Sequence, residues 1–135
     1  MQRKDEEIVT NQPIVQSAGI SGDVTEFILR EGKELSGLQP AGRMITDTDS
    51  GTFVYLLDDG ERFVHVHFPE EIWPQMAIAL QNGQTPVLSA GEHRIELVNF
   101  ADELEMLVFN IEGNDNYGSA FSTAVEEAFS QILGA

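Results

Sequence analysis

Two histidines stand one residue apart in FVHVHFPEEIW, residues 63–73, and no other stretch looks as much like chemistry. On a strand, alternate side chains point to one face, so His65 and His67 stand together about 7 Å apart. Two neutral imidazoles so placed can share one metal ion, with a nearby carboxylate completing a facial site. His65 and His67 are therefore weak metal-ligand candidates. Against this, Pro69 and the helix-start residues after it turn the chain away before Glu70 and Glu71 can join them. The competing reading is a strand whose histidines lie on a surface or an interface.

Other segments carry weaker signals. Asp47 to Gly51, DTDSG, resembles the front of a calcium loop. A calcium-binding helix–loop–helix needs Gly at position 6 and Glu at position 12, where this chain has Thr52 and Asp58. A turn closed by Asp and Ser side chains is the expected structure there. The segment Asn110 to Phe121, NIEGNDNYGSAF, joins two helical patterns. Its Gly and Asn residues suit helix ends, yet Asn114, Asp115, Asn116 and Tyr117 exceed what a minimal turn requires and form a candidate recognition loop. Neither a G-x-S-x-G elbow nor a glycine-rich nucleotide-binding motif occurs. No catalytic residue is assigned and no cofactor is expected.

Composition narrows the partners. Asp plus Glu number 23 against seven Lys plus Arg, a formal net charge of −16. Such a body repels phosphate backbones and anionic membranes, so nucleic acid and membrane surfaces are disfavoured, while a basic protein surface is not. The absence of Cys excludes disulfides and thiolate chemistry. No apolar run approaches the roughly 20 residues of a membrane span, and the N-terminus lacks the apolar segment of a signal peptide. A cytoplasmic protein is the expectation.

These residues must be positioned by elements that the pattern outlines. Residues 1–6 read as a flexible charged end and 7–135 as one domain. EIVTNQPIVQ suggests an edge strand interrupted at Pro13, followed by a turn over Gly19 and Gly22, then a half-buried strand from Val24 in which Val24, Glu26, Ile28 and Arg30 alternate with Thr25, Phe27 and Leu29. Asp59-Gly60 between apolar runs predicts a two-residue hairpin turn, pairing Leu56 with Phe63, Val54 with His65 and Thr52 with His67. One hairpin face then holds Phe53, Tyr55, Leu57, Val64, Val66 and Phe68, and is expected in the core. The other holds Thr52, Val54, Leu56, Phe63, His65 and His67.

PEEIWPQMAIALQNG predicts a helix ended by Gly83. TPVLSAGEHRIELVNF predicts a second hairpin turning at Ala90-Gly91. A helix capped by Asn99 follows, with Phe100, Leu104, Leu107, Val108 and Ile111 on one side. The last helix has its stripe at Phe121, Ala124, Val125, Ala128, Phe129, Ile132 and Leu133. The fold class is α+β: an antiparallel sheet with a central hairpin, one helix between strands, and two C-terminal helices packed on the sheet.

GERFVHVHFPEE is partly similar to the cupin metal motif through Gly60, His65-x-His67 and Glu71. The Gly-to-His spacing is one short, the later motif glycine is Ile78, and His93 lacks the surroundings of a second motif. GRMITDTDSGTFVYLL, FPEEIWPQ, IELVNFADEL and NIEGNDNYG, within about residues 40 to 130, resemble the YjbL-like family of small proteins from Bacillus-type bacteria. That resemblance implies a cytoplasmic bacterial protein of unknown function and carries over no site residue.

The functional expectation is a non-enzymatic, acidic domain acting through protein–protein interaction. Val54, Leu56 and Phe63 need a cover, which suggests a homodimer through that hairpin face or through the last helix. The alternative is a metal- or small-ligand-binding protein using His65 and His67.

Overall fold

A computed structural model describes residues 13–30 and 35–134 of the chain. The expected charged end at 1–6, and the part of the first predicted strand before Pro13, lie outside them. The α+β class holds, but the strands divide between two sheets. The first has the order β1 (Val15–Ser21), β2 (Val24–Leu29), β6 (Thr85–Ala90), β7 (His93–Glu96). The second is a meander of β3 (Gln39–Asp47), β4 (Thr52–Asp58) and β5 (Phe63–Pro69). The pairs are antiparallel except β2 with β6, which is parallel, from Val24 opposite Thr85 to Ile28 opposite Ser89. A parallel pair needs a long crossover, and here the whole meander and the first helix supply it.

The β4–β5 hairpin keeps its predicted faces with a different register. Asp58 pairs with Phe63, Leu56 with His65 and Val54 with His67, so residues 59–62 form the loop. The cause is Asp59. Its carboxylate accepts the amides of Glu61 and Arg62 at 2.8 and 2.9 Å, and the Asp58 carboxylate accepts that of Gly60 at 2.7 Å. These bonds to backbone amides, Arg62 first, hold the Asp59 pKa below its usual value. A slip of two residues does not change which side chains share a face.

Phe53, Tyr55, Leu57, Val66 and Phe68 accordingly sit in the core, with Val64 packed against it. Other turns shift less. β1 runs through Gly19, and only Gly22, at φ 63°, makes the turn. The second hairpin turns at Gly91-Glu92, because Ala90 pairs with His93; Gly91 at φ 61° suits the first central position of a type II′ turn.

A 3₁₀ turn at Glu70–Ile72 leads directly from β5 into α1 (Trp73–Gln81). The Trp73 indole N–H donates to the Phe68 carbonyl at 2.9 Å, so the largest buried ring has its polar atom satisfied. α2 (Phe100–Ile111) buries Phe100, Leu104, Val108 and Ile111 as its spacing predicts, with Leu107 packed beside them. Asn99 precedes α2 at φ 63° and its side chain makes no cap; its amide donates to the Gly42 carbonyl at 3.4 Å instead.

The predicted last helix is two: α3 (Ser119–Ala128) and α4 (Ser130–Leu133), broken at Phe129 with φ −112° and ψ 25°. The break seats the Phe129 ring 5.8 Å from that of Phe53. Two aromatic groups organise the core. Phe53, Trp73, Phe121 and Phe129 join the meander to α1, α3 and the helix break. Phe27, Phe68 and Phe100 join the two sheets to α2, with Phe27 edge-on to Phe68 at 5.2 Å.

Candidate functional site

His65 and His67 share the outer face of the meander, as strand alternation requires, but their settings differ. His67 Nδ1 lies 2.9 Å from the Thr52 hydroxyl, and Thr52 is only 6% exposed. The His67 amide donates to the Pro13 carbonyl at 2.9 Å, and Ile14 bridges β5 at this residue. His65 is half-buried opposite Leu56. Among the described residues no three metal-ligating side chains gather, and Glu70 and Glu71 have left the strand for the exposed 3₁₀ turn. The histidines form a pair in which one ring nitrogen of His67 is already engaged.

Burial lowers the His67 pKa from its ordinary 6.5; the nearby Asp47 charge opposes the shift and His65 adds to it. With the folded-state pKa depressed, the unfolded chain takes up its proton first as pH falls through about 6.5. Stability from neutral His67 is therefore full above that pH and declines below it. In calorimetry between neutral pH and about pH 5, the melting-temperature advantage of wild type over His67→Gln should narrow. Parallel curves would show that His67 keeps one protonation preference in both states.

The DTDSG segment is the expected turn. The Asp47 carboxylate accepts from the Ser50 amide and hydroxyl at 3.2 and 3.1 Å, and Gly51 takes φ 70°. In the candidate recognition loop, the Asn114 side chain accepts the Asn116 amide at 3.0 Å and donates to the Asn110 carbonyl at 3.2 Å. Residues Asp115–Tyr117 form a 3₁₀ turn, and Glu126 of α3 accepts the Gly113 amide at 2.8 Å. Tyr117 is half-buried and stacks on Phe121 with ring centroids 6.4 Å apart. Asp115 and Asn116 remain exposed. Most of the loop's polar groups thus hold the connection between α2 and α3.

The apolar hairpin face also changes meaning. Val54 and Leu56 are 1% and 4% exposed within the chain itself, so they need no subunit to cover them; only Phe63 stays outside. The last-helix stripe is spent similarly, since Phe121, Val125 and Phe129 are buried.

The outer side of α2 carries apolar residues that a single buried stripe does not predict. Met106 and Phe109 are about half exposed and lie three residues apart, neighbours on the helix surface. Asp102 and Glu105, each four residues before one of them, and Glu112, three after Phe109, are exposed around the pair. The signal was available in EMLVFNI, where more apolar positions occur than one buried stripe can use.

The sequence is similar to proteins spread over several genera of Bacillus-type bacteria. A relative from Lysinibacillus sphaericus (strain C3-41) is 42% identical over 119 residues, covering 88% of this chain and 94% of the relative. One from Geobacillus kaustophilus (strain HTA426) is 39% identical over 95 residues, 70% of this chain and 76% of its own. One from Staphylococcus epidermidis (strain ATCC 35984) is 39% identical over 93 residues, with 69% and 76% covered. Each is described as a UPF0738 protein. No solved structure matches the chain. The family model covers residues 13–129, from just before β1 to the break between α3 and α4, and the chain belongs to UPF0738, a family of unknown function.

Proposed function

We propose that this protein is a non-enzymatic, cytoplasmic domain that works by binding another protein, and that α2 presents the contact. The observation that carries this reading is the Met106–Phe109 pair, about half exposed and bordered by Asp102, Glu105 and Glu112. An apolar centre with a charged rim is the usual anatomy of a protein contact. The carboxylates select a partner whose own rim is basic, and the net charge of −16 would speed its approach.

The alternative, a metal- or small-ligand role for His65 and His67, has only the pair itself in support.

The test is affinity capture from a bacterium that encodes a family member, comparing wild type with Met106→Ser/Phe109→Ser. A partner with a basic surface should be recovered by wild type. Loss of a central apolar anchor costs about 2 kcal/mol, so the double variant should bind about 30-fold or more weakly. Because both side chains are exposed, its melting temperature should barely move. Equal recovery by the two proteins would remove α2 from the interface.

A further inference from the structure

Two open sheets have four edges, and the chain treats one unlike the others. An unpaired edge is a template for another strand, and proteins usually blunt it with cover, charge, proline or shortness. The β3 edge is met by α2: Glu103 accepts the Met44 amide at 2.9 Å, and Asn99 donates to the Gly42 carbonyl. The β5 edge is met by Pro13 and Ile14 through His67. β7 is four residues long and carries exposed His93, Arg94 and Glu96.

β1 meets β5 just before its start, at Ile14, and bulges between Val15 and Ser17, but among the described residues none of these devices reaches Ser17–Ser21. The five residues contain no charge and no proline. They run in regular register with β2, from Ser17 opposite Ile28 to Ser21 opposite Val24. Among the described residues, no backbone bond ties them to anything but β2. Ile20 is 52% exposed.

We infer that the free edge of β1 pairs antiparallel with β1 of a second copy of this chain, joining two four-stranded sheets into one. Charge chooses this occupant. Copies carrying −16 each repel, so they can approach only where the surface is neutral. The edge itself is uncharged. Of the two nearest acids, Glu26 opposite Gly19 is paired with Arg94 at 3.2 Å, and Asp23 lies beyond Ser21 at the tip of the β1–β2 turn.

The segment is also self-complementary, as a two-fold interface must be. An antiparallel register centred on Gly19 sets Ser17 against Ser21 and Ala18 against Ile20, so each exposed Ile20 covers the smaller residue of the other copy. Five paired residues bury less than the roughly 800 Å² per partner of a standard interface, so the dimer should be weak. The inference does not depend on α2, since the surfaces differ.

The experiment is sedimentation equilibrium of the full chain up to about 1 mM, at low and high salt. A monomer–dimer equilibrium is expected, tightening several-fold as salt screens the repulsion. Ile20→Lys should weaken it about tenfold or more even though it lowers the net negative charge, because it puts two lysines across the pairing. Met106→Ser/Phe109→Ser should leave it unchanged. Amide exchange should slow at Ser17–Ser21 with rising protein concentration. A monomer under every condition would overturn the inference. So would a dimer insensitive to Ile20→Lys, or protection that appears on α2 instead of β1.

Discussion

Phe53→Ala should be among the most damaging single substitutions in this chain, costing about 3–5 kcal/mol. Phe53 is fully buried and touches three other aromatic rings, with centroids 5.1 Å from Trp73, 5.8 Å from Phe129 and 6.1 Å from Phe121. Truncation removes the transfer energy of the ring and leaves a cavity in a close-packed interior. It also deletes edge-on contacts worth about 0.5–1.5 kcal/mol each. These rings come from β4, α1, α3 and the helix break, so the cavity cannot close by moving one element.

Against the 5–15 kcal/mol typical of a domain, the variant should keep only a fraction of its stability and melt roughly 10–25 °C lower. Urea unfolding followed by circular dichroism measures this. Fluorescence of the single Trp would also report the changed surroundings of Trp73 in the folded state. Phe63→Ala is the control: the residue is 47% exposed at the hairpin end and should cost within about 0.5 kcal/mol. A Phe53→Ala protein within about 1 kcal/mol of wild type would mean that the aromatic cluster collapses around the gap.

The contrast between Phe53 and Phe63 shows which parts of the fold were legible. Alternation along β4 and β5 assigns Phe53, Tyr55, Val66 and Phe68 inward because it depends only on the strand period. A shift of two residues in the pairing leaves that assignment unchanged for the same reason. The loop length was not legible, since Asp-Gly suits a two-residue turn, and only the local geometry shows Asp59 collecting two amides.

Helix stripes were legible while they obeyed one period, as in Phe100, Leu104, Val108 and Ile111. The stripe through Phe129 read as one helix because the break preserves which side its residues occupy. The parallel pairing of β2 with β6 links segments some 60 residues apart, and no local pattern encodes such a partner. For the candidate sites, types and spacing identified His65 and His67, but not that Thr52 engages one ring nitrogen. The edge state of β1 depends on where the other strands fall, and so belongs to topology.

Gly42→Val should be among the most damaging changes outside the aromatic core, and its cause is a close approach invisible in the sequence. β3 shifts register between Pro40 and Met44, and Gly42 sits in this irregularity, buried, at φ 73°. A left-handed residue with a Cβ costs about 1–2 kcal/mol, and a β-branched one more. The new Cβ would also lie 3.0 Å from the Asn99 side-chain nitrogen. Asn99 is itself left-handed, at φ 63°, the only such non-glycine among the described residues. Two left-handed residues therefore face each other where α2 starts beside the β3 edge, and Asn99 donates to the Gly42 carbonyl.

This arrangement explains why Asn99 does not cap α2 through its side chain: that side chain is turned to the strand. Gly42→Val should cost about 2–4 kcal/mol from strain and contact together. Asn99→Ala should cost about 1 kcal/mol, since alanine tolerates the left-handed region poorly, while Asn99→Gly relieves the backbone and should be nearly neutral. In a double-mutant cycle, Gly42→Ala and Asn99→Gly should be less than additive, because removing the Asn99 side chain opens the space the new Cβ needs. Strict additivity in urea unfolding would leave only the backbone strain at Gly42 and deny that the two residues act as one joint between α2 and the meander.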